Sequence, residues 1–93
     1  MGNKKTYAID MDGILCEESK PYKSCSPIYK NIAKADKLKE AGHKIIIFTA
    51  RRQCDRKTTL KWLRLYGPKF DKLICGKPKF DVYVDEMGKV KVW

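Results

Sequence analysis

The alternation of apolar and polar positions along the chain predicts repeated switching between strands and helices. The run at 44–49 is continuous and rich in isoleucine, which is typical of a strand buried on both faces of a parallel sheet. Four further segments have the short apolar pattern of strands, the last of them as an edge strand. The predicted strands lie at 5–10, 44–49, 70–75, 82–85 and 89–93.

Two helices are predicted between these strands. Ser26 is suited to cap the first helix, with Pro27 in its first turn and Gly42 after its end. The second helix is predicted over 55–66, with Asp55 as its N-cap. The residues expected to face the core at helical spacing are Ile28, Ile32, Ala35 and Leu38 in the first helix, and Leu60, Leu63 and either Trp62 or Tyr66 in the second.

Strands that alternate with helices of this length predict an α/β fold. We expect a three-layer α/β/α, Rossmann-like domain whose mostly parallel sheet has about five strands. A chain of 93 residues supports one core, so we expect a single domain over 1–93. Ligands bind beyond the carboxyl ends of strands in such sheets, and Asp10, Thr49 and Asp85 each fall at such an end.

The charge of the chain is strongly positive, with 21 Lys and Arg against 11 Asp and Glu and a net charge of +10. This favours an anionic partner, because summed positive potential attracts phosphates and nucleic acids. A generally solvated basic surface explains the charge equally well. No apolar run approaches the ~20 residues needed to span a bilayer, and no signal peptide is recognisable at the N-terminus. We therefore expect a cytoplasmic protein without membrane contact.

The four cysteines show no paired C-x-x-C spacing. A structural zinc site needs close pairs to bring four ligands together, so this class of site is not predicted. Free thiols in a reducing compartment are the expectation for Cys16, Cys25, Cys54 and Cys75.

An acid pair stands where the first strand ends. Asp10 and Asp12 are one residue apart and are followed by Gly13, so both carboxylates can project into one crevice. A strand-end carboxylate is a competent nucleophile toward phosphorus once a cation offsets the repulsion between the two anions. The second carboxylate suits general acid catalysis. The alternative is a turn that carries two exposed acids.

Two further strand ends carry groups suited to binding phosphate. Thr49, Ala50 and Arg51 follow the strongest strand, where a hydroxyl, a backbone N–H and a positive charge could hold phosphoryl oxygens. Lys77 follows the third strand and could neutralise both the nucleophile and the transferring group. Taken singly, an ordinary strand-end threonine and a basic turn explain these segments better.

A second acid pair, Asp85 and Glu86, ends the fourth strand. Mg²⁺ takes hard oxygen ligands and keeps several waters, so one or two carboxylates suffice. The alternative is a charged turn. The argument for function lies in the order of the groups, because acid pair, threonine, lysine and acid pair each close a separate strand. Together they are the set that phosphoryl transfer requires.

With these motifs in place, the chain resembles the haloacid dehalogenase superfamily of aspartate-nucleophile phosphatases over nearly its whole length. The TAR at 49–51 and the GKPKFDVYVDE block at 76–86 look closest to small capsule-biosynthesis-type and polynucleotide-kinase-type phosphatases. Two departures are Ile14, where the family usually has threonine, and Glu86, where it often has aspartate.

The resemblance implies roles for the motif residues. Asp10 would become phosphorylated, and Asp12 would protonate the leaving group and then activate water. Thr49 and Lys77 would bind the phosphoryl group. Asp10, the Asp12 carbonyl and Asp85 would hold Mg²⁺, with Glu86 as a metal-shell group.

The intervals between motifs are too short for the cap domains of this family. A loop at 14–25, called the rim below, is expected to border an open site. The candidate positive groups around it are Lys20, Lys23, Arg51, Arg52 and Arg56.

The expected function is that of a magnesium-dependent phosphomonoesterase acting on a phosphorylated sugar, nucleotide or nucleic-acid end. The alternative is a catalytically weak or inactive module of the same fold that binds nucleic acid or another polyanion through its basic surface. The intact set of reacting groups favours the enzyme. The sequence leaves the substrate and the oligomeric state open.

Overall fold

Two successive strand–helix–strand units make up the part of the chain that the structure, a computed structural model, describes: residues 4–77. Short 3-10 turns at Tyr22–Ser24 and Gln53–Asp55 accompany them. The strands predicted at 82–85 and 89–93 lie outside the described residues. The described elements are β1 (Thr6–Ile9), α1 (Tyr29–Glu40), β2 (Lys44–Phe48), α2 (Arg56–Tyr66) and β3 (Lys72–Ile74).

The three strands form a parallel sheet in the order β1-β2-β3. Tyr7 pairs with Ile45 in the register of the first two strands, and Ile47 pairs with Leu73 in the register of the second two. The predicted α/β class and parallel sheet are confirmed, with three strands among residues 4–77. Right-handed crossovers that step in the same direction place both helices on one face of a sheet.

The core agrees with helices on one face. Ile45 and Ile47 are fully buried and share a cluster with Ile32 of α1 and Leu63 of α2. Ile46, which points to the other face, is only half-buried. Within residues 4–77 the prediction of helices on both faces, and of β2 buried on both faces, is therefore wrong.

The start of α1 also differs from the prediction. The helix begins at Tyr29, and Ser26 and Pro27 do not cap it. The Glu17 N–H donates to the Ser26 carbonyl at 2.9 Å, and Cys16 bridges Pro27 in antiparallel fashion. This pairing with the rim holds the segment before α1 extended, which a local capping pattern cannot reveal.

The second helix matches its predicted bounds. Asp55 stands at the N-cap of α2, although its side chain makes no capping hydrogen bond, and Gly67 follows the last turn. Trp62 is the aromatic residue that faces the core, since it is 2% exposed whereas Tyr66 is 46% exposed. Neither helix of the described part is long and apolar enough to cross a membrane.

Asp71 ties α1 to the sheet just before β3. Its carboxylate accepts hydrogen bonds from Lys39 Nζ at 2.6 Å and from the Ile45 N–H at 2.7 Å. The hydrogen bond from Lys39, followed by the one from Ile45, holds the pKa of Asp71 below its ordinary value. The ionised carboxylate is therefore the form that stabilises the fold.

We predict that Asp71→Asn lowers the free energy of unfolding at neutral pH and that the difference from wild type shrinks in acid. Because the pKa of Asp71 is lowered in the folded state, its contribution is complete above the unfolded value of 3.8 and disappears as pH falls through the folded value. Urea unfolding of both chains between pH 7 and pH 3 measures this. The control is Glu40→Gln, which changes an exposed carboxylate of α1, the helix that carries Lys39. A pH-independent difference would contradict the assignment.

Candidate active site

The segments that follow the three strands lie side by side at one edge of the sheet. The Lys77 N–H donates to the Thr49 carbonyl at 2.9 Å, and the Gly76 N–H donates to the Arg51 carbonyl at 2.7 Å. These bonds lock the loop after β3 against the loop after β2. The edge where the sequence predicts a site is therefore held by main-chain hydrogen bonds.

Asp10 leaves β1 with its carboxylate in the crevice, where the side chain is 44% exposed. Its Oδ1 accepts a hydrogen bond from the Met11 N–H at 2.7 Å. Its Oδ2 lies 3.4 Å from Lys77 Nζ, and the lysine ammonium also lies over the Phe48 ring, 5.4 Å from its centroid. One oxygen is thus oriented by backbone, and the other faces solvent beside a positive charge.

A tight turn after β1 returns the chain toward Asp10. Gly13 has φ of +90°, a conformation that residues with a side chain rarely adopt. Its N–H donates to the Cys16 carbonyl at 2.7 Å, and the Leu15 N–H donates to the Met11 carbonyl at 2.9 Å. The turn directs Asp12 toward the end of β2.

Asp12 is held by a bidentate ion pair with Arg51. Arg51 Nε donates to Oδ2 at 2.9 Å, and Nη2 donates to Oδ1 at 2.7 Å. The third arm of the guanidinium, Nη1, donates to Thr59 Oγ1 at 3.1 Å. Its carbon lies 3.9 Å from the centroid of the Tyr22 ring. Such fork-to-fork pairs fix orientation as well as distance.

The burial of Arg51 changes its predicted role. Its side chain is fully buried, whereas that of Asp12 is 20% exposed. Burial is the largest single effect and would lower the pKa of Arg51, but the hydrogen bonds to Asp12 and Cys25 and the nearby negative charge together outweigh it, so the pKa stands above its ordinary value. As described, the guanidinium faces Asp12 and does not add free positive charge to the mouth of the site. Both oxygens of Asp12 accept hydrogen bonds from Arg51.

The hydroxyl of Thr49 already takes part in one hydrogen bond within the protein. Thr49 is 1% exposed, and its Oγ1 accepts a hydrogen bond from the Arg51 N–H at 3.1 Å. A threonine hydroxyl that accepts one bond still has its own proton to donate. The next residue, Ala50, lines the crevice, whereas Thr49 is buried beside it at the end of β2.

The crevice has a volume of about 430 Å³, within the range of small-ligand sites. A neighbouring hollow of about 400 Å³ shares Lys20 and Tyr22 with it. The crevice is lined by Asp10, Asp12, Glu18, Ser19, Lys20, Tyr22, Ala50 and Arg51. The hollow adds Pro21, Lys23, Arg52, Asp55 and Thr58.

The basic groups predicted around the mouth divide into two sets. Lys20, Lys23 and Arg52 line the crevice or the hollow. Arg51 is buried. Arg56 donates from Nη1 to the Leu73 carbonyl at 2.7 Å, so this arm of its guanidinium is bound to β3.

The described donors agree only in part with a magnesium site. Asp10 supplies a hard carboxylate oxygen, and Asp12 its backbone carbonyl oxygen, both of the kind that Mg²⁺ prefers. Within residues 4–77, no three His, Cys, Asp or Glu side chains converge as a complete set of protein ligands would. The other two predicted ligands, Asp85 and Glu86, lie outside the described residues.

Several residues around Asp12 were not singled out by the sequence. Tyr22 and Thr59 contact the Arg51 guanidinium, and the thiols of Cys16 and Cys25 lie within 3.5 Å of its Nη2. The rim has no regular apolar period, so nothing local indicates that its side chains turn inward. The available signal in the sequence was a pair of cysteines after the acid pair, Cys16 close to Asp12 and Cys25 at the end of the rim.

Comparison with known proteins supports the fold. The crystal structure of an MCSG target from Vibrio cholerae superimposes with a TM-score of 0.73 at 23% sequence identity, covering 87% of this chain and 79% of that one. At this identity the similarity concerns the fold alone. A scan against protein-family models gives no match, and a search of curated proteins gives none.

We predict that Arg51→Met destabilises the chain by about 1–3 kcal/mol, because it leaves hydrogen-bonding oxygens of Asp12 and Thr59 without their buried donor. In a double-mutant cycle with Asp12→Asn, we expect the two changes to be coupled by about 0.5–3 kcal/mol. Urea unfolding of the four chains measures the cycle. Arg52→Met, at the exposed neighbour, should stay within about 0.5 kcal/mol of wild type. If the losses in unfolding free energy of the two single variants simply added in the double variant, the contact between Arg51 and Asp12 would not stabilise the fold.

Proposed function

We propose that the chain is a magnesium-dependent phosphomonoesterase that acts through a phospho-aspartate at Asp10, as a small capless member of the haloacid dehalogenase superfamily. One observation carries the proposal: a solvent-facing carboxylate at the end of β1 lies 3.4 Å from Lys77 Nζ and shares its crevice with a second carboxylate, Asp12. A nucleophile, a cation and a second acid at one sheet edge suit phosphoryl transfer better than they suit a passive binding surface.

In the proposed reaction, Asp10 Oδ2 attacks phosphorus and the bond from phosphorus to the leaving oxygen breaks. Asp12, once protonated and turned from Arg51, gives its proton to that oxygen. A water then attacks the phosphorus of the acyl phosphate, Asp12 takes a proton from this water, and Asp10 is released with inorganic phosphate. Lys77 offsets the negative charge that builds up, and the Thr49 hydroxyl donates to a phosphoryl oxygen.

Arg51 acts in this scheme as a positioning residue. Its two bonds to Asp12, at 2.7 and 2.9 Å, orient the carboxylate before substrate arrives. Its contact with Thr59 at 3.1 Å keeps the guanidinium in place while one Asp12 oxygen is released. A planar fork suits this task better than an ammonium does, so lysine would not be an equivalent replacement.

Asp10 and the Asp12 backbone carbonyl would hold Mg²⁺, together with Asp85 and, in its outer shell, Glu86. When bound, the ion would offset the repulsion between the Asp10 carboxylate and the phosphate. Asp10 and Asp12 are suited to it by their oxygen chemistry, since Mg²⁺ accepts a site with few carboxylates and several waters.

The substrate class follows from the shape and charge of the site. The crevice continues into the hollow that carries Lys23 and Arg52, so a chain of phosphates could extend beyond the reacting group. A phosphorylated sugar or nucleotide fits the crevice, and a nucleic-acid end also reaches the hollow. The same basic surface supports the second candidate, a weak or inactive module that binds polyanions.

We predict that Asp10→Asn abolishes phosphate release from phosphomonoesters while the chain stays folded, because asparagine has the same shape but cannot form an acyl phosphate. Asp12→Asn should slow turnover by about 100-fold or more. Both are measured as phosphate release by purified chains, with circular dichroism as the test of folding.

Glu40→Gln, far along the chain on α1, is the matched control and should keep wild-type turnover. The same assay should show a requirement for Mg²⁺ and loss of activity in excess chelator. Wild-type turnover by Asp10→Asn would remove Asp10 as the nucleophile. Full activity in excess chelator would show that the reaction does not require Mg²⁺.

We also predict a preference for a phosphorylated oligonucleotide over the matching mononucleotide, and that the preference weakens as salt rises. Contacts between phosphates and the hollow release counterions, which makes binding dependent on salt. Replacing Lys23 and Arg52 by glutamine should reduce kcat/KM for the oligomer and leave that for the mononucleotide nearly unchanged. Lys34→Gln, at an exposed lysine of α1, is the control. Equal efficiencies at all salt concentrations would contradict the role of the hollow.

A further inference from the structure

Two thiols meet behind the candidate site at one nitrogen of Arg51. Nη2 lies 3.5 Å from Cys16 Sγ and 3.4 Å from Cys25 Sγ. The same nitrogen donates to Asp12 Oδ1 at 2.7 Å, and Cys16 Sγ lies 3.6 Å from that oxygen. The thiol pair and the ion pair therefore share atoms, so a change in one reaches the other.

The shared nitrogen places the two sulfurs near each other. Because Cys16 Sγ lies 3.5 Å and Cys25 Sγ lies 3.4 Å from the same Nη2 atom, the two sulfurs are at most about 7 Å apart. Cys16 is also tied to the segment after Cys25 by its antiparallel bridge to Pro27. The sulfurs of a disulfide are bonded at about 2 Å, so closing the bridge would draw Cys25, at the end of the rim, toward Cys16.

We propose that Cys16 and Cys25 are a modification site at which a low-molecular-weight disulfide forms an intramolecular bridge, and that the bridge weakens the hold of Arg51 on Asp12. One cysteine thiolate attacks a sulfur of the small disulfide and releases one thiol. The second cysteine attacks the mixed disulfide at the protein sulfur and releases the other thiol. The two cysteines are oxidised, the reagent is reduced to two thiols, and the two cysteine protons end on them.

The bridge would act on Asp12 in two ways. The Cys16 thiol loses the proton that it can share with Asp12 Oδ1, and Nη2 loses the thiol arrangement against which it packs. The Tyr22 ring over the guanidinium belongs to the same rim and would move with Cys25. Displacements of about 1 Å at a catalytic group can cost about 100-fold in rate, so the oxidised form should be nearly inactive.

Burial sets the rate of the reaction. Cys16 is 0% and Cys25 is 3% exposed, and burial raises the pKa of the Cys16 thiol, so the reactive thiolate is scarce. Oxidation therefore needs local opening of the rim. Cys54 is exposed and should react with the reagent sooner.

The test uses the full chain with Cys54→Ser and Cys75→Ala, which leaves only the pair. After incubation with oxidised glutathione, both thiols should disappear without added glutathione mass. Trypsin cleaves after Lys23, so a peptide pair joined through Cys16 and Cys25 identifies the bridge. Cys25→Ala on this background is the matched control and can only form a glutathione adduct. Two adducts per chain, or two unreacted thiols, would overturn the pairing.

The effect on the site has its own readouts. Phosphate release, which rests on the proposed function, should fall by about tenfold or more on oxidation and return with dithiothreitol. Independently of activity, Trp62 reports on the rim because its Nε1–H donates to the Cys25 carbonyl at 2.9 Å. In a Trp93→Phe chain its fluorescence should shift on bridging, even if no phosphatase activity exists. If the bridged chain kept both its fluorescence emission and its turnover, the proposed effect of the bridge on Arg51 and Asp12 would be overturned.

Discussion

The ion pair between the buried Arg51 and the partly exposed Asp12 is the interaction on which the rest of the site depends. A charge taken out of water is costly unless it is paired and hydrogen-bonded throughout. Here both carboxylate oxygens, Thr59 and the Tyr22 ring meet the guanidinium. These contacts join the turn after β1, the end of β2, the rim and α2 around one side chain. Loss of any one of these contacts should therefore change the orientation of the Asp12 carboxylate.

This pair also changes how the basic composition is understood. A net charge of +10 favours an anionic partner but does not show which basic side chains are free to contact it. Two of the five basic residues expected at the mouth bind the protein itself, since Arg51 holds Asp12 and Arg56 donates to the Leu73 carbonyl. The charge left around the crevice is smaller and more local, and it lies mainly on the side of the hollow.

Prediction from sequence succeeded where structure is local. The isoleucine run of β2 and the apolar spacing of α2 follow from the periods of strand and helix, and both elements occur close to their predicted bounds. It failed at the start of α1, where Ser26 and Pro27 satisfy a capping pattern but pair with the rim instead. The competing contact comes from an irregular segment, so no periodicity announces it.

The sequence by itself determined which chemical groups stand at the strand ends, because Asp10, Thr49 and Lys77 each follow a segment whose apolar pattern defines a strand. Their convergence follows from parallel pairing, which places strand ends at one edge. Only the tertiary structure decided that Arg51 turns inward to Asp12, 39 positions away in the chain, and that two thiols join it. Such contacts depend on how the irregular rim folds over the sheet, and local propensity carries no information about that packing.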